Sequence, residues 1–137
     1  MIDESPKRMK VKAVSVTHAG RVRDENEDAV FCDPDTGLFI LADGMGGHSS
    51  GKVASTKAIE VIKDYLLIQS KTEDFEWPFD PSSKLSEIGN HLSIALRISN
   101  VRVYNEAQKD DDLLGMGTTG IIAIVDNDNI AIAHVGD

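Results

Sequence analysis

Cysteine is almost absent, with Cys32 the one example in 137 residues. A lone thiol excludes a disulfide framework and a thiolate zinc site. Its apolar surroundings make it a small buried side chain rather than a nucleophile. No apolar run approaches the roughly 20 residues that a membrane helix needs, so no membrane partner is expected. The N-terminus, Met1-Ile2-Asp3-Glu4-Ser5-Pro6-Lys7-Arg8, lacks the apolar segment of a signal peptide. These absences predict a soluble protein of a reducing, cytoplasmic compartment. Positive charge is scarce too. Fourteen Lys and Arg stand against 23 Asp and Glu, a net charge of −9, and nucleic acid is excluded as a partner because phosphate binding needs surplus cations. Repeats and low-complexity tracts are missing. What remains is ordinary globular composition, 41% apolar and 27% charged, in a chain long enough to bury roughly 70% of its unfolded surface.

Residues 1–10 read as a polar tail. Val11 to Thr17 then alternates apolar and polar residues, which predicts a half-buried strand. The charged segment Arg21-Val22-Arg23-Asp24-Glu25-Asn26-Glu27-Asp28 leads into a second short run, Ala29-Val30-Phe31-Cys32. Asp33-Pro34-Asp35-Thr36-Gly37 is turn chemistry, and Leu38-Phe39-Ile40-Leu41-Ala42 follows as a buried strand ending at Asp43. The spacing suits a hairpin. After the glycine-rich loop Gly44 to Gly51, the residues Val53, Ala54, Ala58, Ile59, Ile62, Tyr65 and Leu66 recur at helical spacing. Ser70 to Lys84 is a polar loop whose Phe75, Trp77 and Phe79 are expected to tuck onto the body. A second helix spans about Leu85 to Gln108. It is apolar on two sides, which predicts cover on both. Beyond Gly115-Met116-Gly117, two strands, Thr118 to Val125 and Ile130 to Val135, flank the turn Asp126-Asn127-Asp128-Asn129. The chain stops directly on an apolar strand, at Ala133-His134-Val135-Gly136-Asp137, so the pattern predicts a cut inside a larger domain.

Arg23, Glu27, Asp28 and Asp43 are the first candidates for chemistry. If the strands pair as a hairpin, the carboxylates share one end of it. Clustered carboxylates repel unless a cation holds them, and hard oxygen ligands favour magnesium, manganese or calcium. The same residues also read as solvated loop charges or turn caps, and spacing alone leaves both readings open. The glycines of the loop let a main-chain carbonyl approach an ion or cradle phosphate at a helix N-terminus. Two nucleotide motifs fail here. A dinucleotide fingerprint would need glycine where Ser49 stands, and a P-loop needs Ser or Thr where Val53 follows Gly51-Lys52. The Asp126 to Asn129 turn fails as a calcium loop, with Ile130 and Ala131 at positions that want Asp or Asn and glycine.

Arg23-Asp24-Glu25-Asn26-Glu27-Asp28, Asp43-Gly44-Met45-Gly46-Gly47-His48, Gly117-Thr118-Thr119 and Val135-Gly136-Asp137 occur in that order. Together they resemble the bacterial-type, metal-dependent type 2C protein serine/threonine phosphatases (the PPM family), over roughly Val11 to Asp137. On this resemblance residues 11–137 are the N-terminal part of the family's catalytic domain. The implied fold is an α+β, four-layer α-β-β-α sandwich of mostly antiparallel sheets, incomplete in this chain. The resemblance makes Asp43 the aspartate that bridges two metal ions and the Gly44 carbonyl a ligand to one of them. Glu27 and Asp28 match the acidic pair, of which one reaches the metals directly or through water. Arg23 matches an arginine that holds the substrate phosphate by a forked contact. Asp137 matches an aspartate that helps bind a third, weaker ion, and His48 matches a histidine that contacts substrate or donates a proton. Met45 stands where some members carry their general-acid histidine, which leaves the acid unassigned.

The implied cofactors are two Mn2+ or Mg2+ ions, with a third weaker one, and the implied partners are phosphorylated proteins. The reaction implied is attack on phosphorus by a water that the ions activate, without a phosphoenzyme. Later metal-binding aspartates of the family have no counterpart here, so weak metal affinity and little activity are expected. Open sheet edges predict a dimer or an exchanged segment. Two further readings stand beside this one. The chain is either a non-catalytic half-domain that binds phosphoproteins or a partner chain, or an unrelated acidic module with a glycine-rich nucleotide loop.

Overall fold

A computed structural model describes residues 10–137. The polar tail expected over residues 1–10 therefore lies outside the described residues except for Lys10. Five strands and two helices follow in the order β1 (Asp28–Asp33), β2 (Leu38–Met45), α1 (Ser50–Leu67), α2 (Glu87–Ala107), β3 (Gly117–Thr118), β4 (Gly120–Asp126) and β5 (Asn129–Val135). Single 3-10 turns at Gln69–Lys71 and Asp111–Leu113 close the two helices. The sheet is antiparallel throughout, in the order β1-β2-β4-β5, with β3 pairing the far end of β2. Both helices lie in the connection between β2 and β3.

β2 shows how the layers separate. Leu38, Ile40, Ala42 and Gly44 are buried, while Leu41, Asp43 and Met45 between them are exposed, the period-2 signature of a strand covered on one face. The covered face meets Ile59, Ile62, Tyr65 and Leu66 of α1, Leu92, Ile94 and Ala95 of α2, and Ile122 of β4. A smaller cluster of Ala54, Ala58, Val103, Ala107 and Met116 joins the opposite ends of the helices. Ser86 caps α2, its hydroxyl accepting from the Gly89 N–H at 3.1 Å. Phe75, Trp77 and Phe79 of the long loop pack against the main core as expected. Trp77 stacks on His91 with centroids 4.4 Å apart, and the His91 Nδ1 lies 3.0 Å from the Tyr65 hydroxyl. Burial holds the His91 imidazole below its usual pKa, with Glu87 opposing that shift, and pushes the Tyr65 phenol up.

The described residues thus form a mixed α/β fold of one antiparallel sheet and one helical layer, two of the four layers expected. On the other face of the sheet Leu41, Ile121, Ile130 and Ile132 are exposed, Ile132 to 67%. Cys32, expected to be buried, is half-buried. Two expectations need correction. Val11 to Thr17 joins no ladder, and Val14 and Val16 are 87% and 85% exposed. Alternation encodes a face, but a strand also needs a neighbouring edge to satisfy its N–H and C=O groups, and none of the described strands runs beside it. Cover on α2 is also incomplete. Both apolar stripes are covered as far as Ile98, but Val101 is 45% and Tyr104 63% exposed.

Candidate active site

The hairpin is set at its closed end. Asp33 Oδ1 accepts from the N–H groups of Asp35 at 3.0 Å and Thr36 at 3.4 Å, and Asp33 Oδ2 accepts from the Thr36 hydroxyl at 2.8 Å. The Thr36 hydroxyl holds the Asp33 carboxyl below its ordinary pKa. Gly37 completes the turn at φ 71°, a conformation that glycine adopts without penalty. From Asp33 opposite Leu38 the register runs to Asp28 opposite Asp43. Directly opposite residues on one face lie about 4.5–5.5 Å apart at Cβ, so two carboxylates are held together at the open end of the hairpin.

Thr119 extends this pair into a row. Its N–H donates to the Asp43 carbonyl at 2.9 Å, and its Oγ1 accepts from the Asp43 N–H at 3.0 Å. On its far side β4 pairs with β5 up to Gly120 opposite Val135, and Gly136 packs against Thr119. Asp137 follows at once. Asp28, Asp43, Thr119 and Gly136-Asp137 therefore cross one end of the sheet, strand by strand. Thr119, expected within the strand Thr118 to Val125, lies between β3 and β4, and its two bonds brace the Asp43 backbone.

A second set of contacts ties the acidic run to α1. The Glu27 Oε1 accepts from the Gly51 N–H at 3.1 Å, and the Glu27 carbonyl accepts from Gly44 N–H at 3.2 Å and from Ser55 Oγ at 2.6 Å. Lys52 Nζ donates to the Asp28 carbonyl at 2.5 Å, and the Ser49 hydroxyl donates to the Glu25 carboxylate. Asn26 accepts from the Asp28 N–H through Oδ1 at 3.0 Å. Glu25, Ser49, Lys52 and Ser55 carried no signal in the sequence because each contact spans more than 20 residues. Gly44 has no room for a side chain, since a Cβ would stand 2.7 Å from the Glu27 carbonyl oxygen.

The structure thus brings Asp28, Asp43 and Gly44 to one point, with Glu27 beside them and Asp137 at the end of the same row. The Glu27 carboxylate is engaged with the first turn of α1, the cap reading that spacing left open. Arg23 is exposed in the loop before β1 and makes no ion pair or hydrogen bond among the described residues. His48 is exposed on the glycine loop, at φ 51°. Among the described residues no three Asp, Glu, His or Cys side chains converge closely enough to hold one ion. The donor set is two carboxylates and a neighbouring carbonyl, hard oxygen ligands suited to a divalent cation but fewer than such an ion takes.

The protein phosphatase 2C family profile matches residues 17–137, which contain every element of the row. The chain belongs to the protein phosphatase 2C family. Within that family it is 36% identical over 124 residues to the serine/threonine phosphatase stp of Listeria welshimeri, covering 88% of this chain and 45% of that protein. It is 33% identical over 118 residues to the serine/threonine protein phosphatase PstP of Mycobacterium tuberculosis, covering 86% of this chain and 20% of that protein. Among solved structures, the catalytic domain of PstP in complex with two manganese ions superposes with a TM-score of 0.67 at 31% identity, over 88% of this chain and 45% of that one. The chain spans less than half the length of these phosphatase 2C relatives. No helix of the described residues is long and apolar enough to cross a membrane.

Proposed function

We propose that this chain carries the N-terminal half of a metal-dependent protein serine/threonine phosphatase site, acting on phosphoserine and phosphothreonine in proteins. The observation that supports it most is the register that sets Asp28 against Asp43 beside Gly44, with Thr119 clasping Asp43 from the next strand. Like charges directly opposite in a sheet destabilise it, which makes an empty pair unfavourable and a cation-filled one favourable. Asp43, Asp28 and the Gly44 carbonyl would hold Mn2+ or Mg2+, with Glu27 and Asp137 beside them. When bound, such cations make a water molecule more acidic and offset charge that develops at phosphorus.

The chain's own side chains supply the rest. Arg23, free of any ion pair among the described residues, takes the phosphate by a forked, charge-assisted contact. His48 donates a proton to the departing serine or threonine oxygen. Thr119 keeps Asp43 from turning with the strand, and the glycines leave the main chain open to the phosphate. Cys32 takes no part.

That no third side chain converges among the described residues favours a second reading, a half-domain that binds phosphoproteins or a partner chain without hydrolysing them. Manganese-dependent hydrolysis of a phosphothreonine peptide by the 137-residue chain separates the two, with a folded Asp43→Asn variant run beside it. Turnover that requires manganese and disappears in the variant is expected from the first reading. Binding of the peptide without turnover, with both proteins folded, would move the assignment to the second.

A further inference from the structure

Three contacts tie the acidic run to α1 at one constant separation. Glu25 meets Ser49, Glu27 meets Gly51 and Asp28 meets Lys52, each 24 residues apart. Residues 25–28 therefore run alongside residues 49–52. Glu27 and Asp28 belong to the carboxylate row or adjoin it. Glu25 does not, and its carboxylate is spent on a side chain rather than on the backbone.

Ser49 is the N-cap of α1, where a serine hydroxyl ordinarily turns inward to accept an N–H of the first turn. It makes no such bond here, where Glu27 takes the Gly51 N–H and the Ser49 carbonyl takes that of Lys52. The Ser49 hydroxyl turns outward to Glu25 instead. Ser49 has φ 66° and His48 φ 51°, two successive left-handed residues without glycine's freedom. Such conformations persist only where the surroundings hold them. A hydroxyl donating to a carboxylate is a charge-assisted bond, and from Glu25 it grips the second of the two residues.

We propose that Glu25 is a positioning residue of this site: through Ser49 it holds the left-handed His48–Ser49 turn and so sets where His48 stands relative to Asp43 and Gly44. Its catalytic meaning rests on the phosphatase reading above, whereas the positioning itself is a property of the metal-free chain. Glu25 acts through Ser49 alone and touches neither cation nor phosphate.

Amide hydrogen exchange and the His48 ring resonance, both read by NMR on the metal-free 137-residue chain, test this. Wild type is compared with E25A, E25Q, S49A and E25A/S49A, with circular dichroism melts as the check on folding. Each alanine variant is expected to speed exchange over His48–Gly51 about five- to tenfold, the loss of one such bond, and to move the His48 resonance the same way. The double variant is expected to exchange no faster than either single one, because both remove the same contact. E25Q keeps an acceptor oxygen and is expected to restore most of the protection and the wild-type ring position. Should E25A melt early, S49A and E25Q still decide the matter, since S49A removes only the hydroxyl and E25Q keeps the side chain's shape and an acceptor oxygen. Wild-type exchange in S49A, or a double variant whose effect is the product of the single ones, overturns the proposal. Neither readout uses metal or phosphate, so a chain without turnover counts against the phosphatase reading alone.

Discussion

Gly51→Ala is a substitution for which local propensity and tertiary packing predict opposite signs. Gly51 is the second residue of α1, and alanine is favoured over glycine inside helices by about 1 kcal/mol. The structure reverses that expectation. A Cβ on Gly51 would lie 2.5 Å from Glu27 Oε1, 2.7 Å from Glu27 Cδ and 2.8 Å from the Met45 nitrogen. The carboxylate can swing away, but only by releasing the Gly51 N–H, and the backbone at Met45 belongs to β2. Loss of the cap costs about 1–2 kcal/mol, and forcing a methyl against fixed main chain costs about 1–3 kcal/mol. Set against the helical gain, the net loss is about 2.5 kcal/mol, which for a chain of this size lowers Tm by about 9 °C. Gly47→Ala is the control, because a Cβ there meets nothing within 4 Å, and its Tm is expected to stay within about 2 °C of wild type. Thermal unfolding followed by circular dichroism measures both. An alanine at position 51 that matches or exceeds wild-type stability would refute the reasoning, since Glu27 would then not be holding the first turn of the helix.

Two further outcomes are expected. His91 is held below its ordinary pKa of 6.5 by burial among aromatic rings, so the unfolded chain binds its proton first as pH falls. Stability from this group is therefore full above about pH 6.5 and is lost as pH drops through the lowered folded value, with a slope bounded by one proton, about 1.4 kcal/mol per pH unit. His91→Phe is expected to flatten that part of the stability-against-pH curve, while costing about 1–2 kcal/mol at pH 8 by stranding the Tyr65 hydroxyl; an unchanged slope in urea unfolding series would assign the pH dependence elsewhere. Ile132, 67% exposed on the open face of the sheet, should tolerate lysine within about 0.5 kcal/mol while reducing self-association of the chain. Sedimentation that shows the same association in Ile132→Lys would place any contact between copies elsewhere, with the strand edges of β1 and β5 next in line.

What could be read in advance was whatever short-range chemistry dictates. Asp33-Pro34-Asp35-Thr36-Gly37 announced the hairpin because its side-chain and glycine requirements lie within five residues. The apolar stripe from Ala54 to Leu66 announced α1 for the same reason. Asp28 and Asp43 could be placed at one hairpin end by counting back from that turn. Val11 to Thr17 misled because alternation describes a side-chain pattern and is silent about whether another strand lies alongside. The part of Glu27 at the helix, the grip of Thr119 on Asp43 and the Glu25–Ser49 contact were illegible for a different reason. Each joins residues more than 20 positions apart through only one or two polar bonds, and no periodicity marks either partner. The family motifs reached further than pattern did, because they carried spacing that folding had already tested.

The turn at Pro34 to Gly37 also works as a ruler. Asp28 and Asp43 stand at equal distances from it, one on each arm, and they meet only because the two counts agree. Removing one residue from either arm would turn every side chain beyond the deletion to the other face, so the truncated arm would present its acid to the helices instead of to its twin. In β2 the same slip would carry core residues such as Ile40 or Leu38 toward solvent, so arm length is fixed by folding and by chemistry together. A chain built on this device can change its exposed side chains, but it has to keep count.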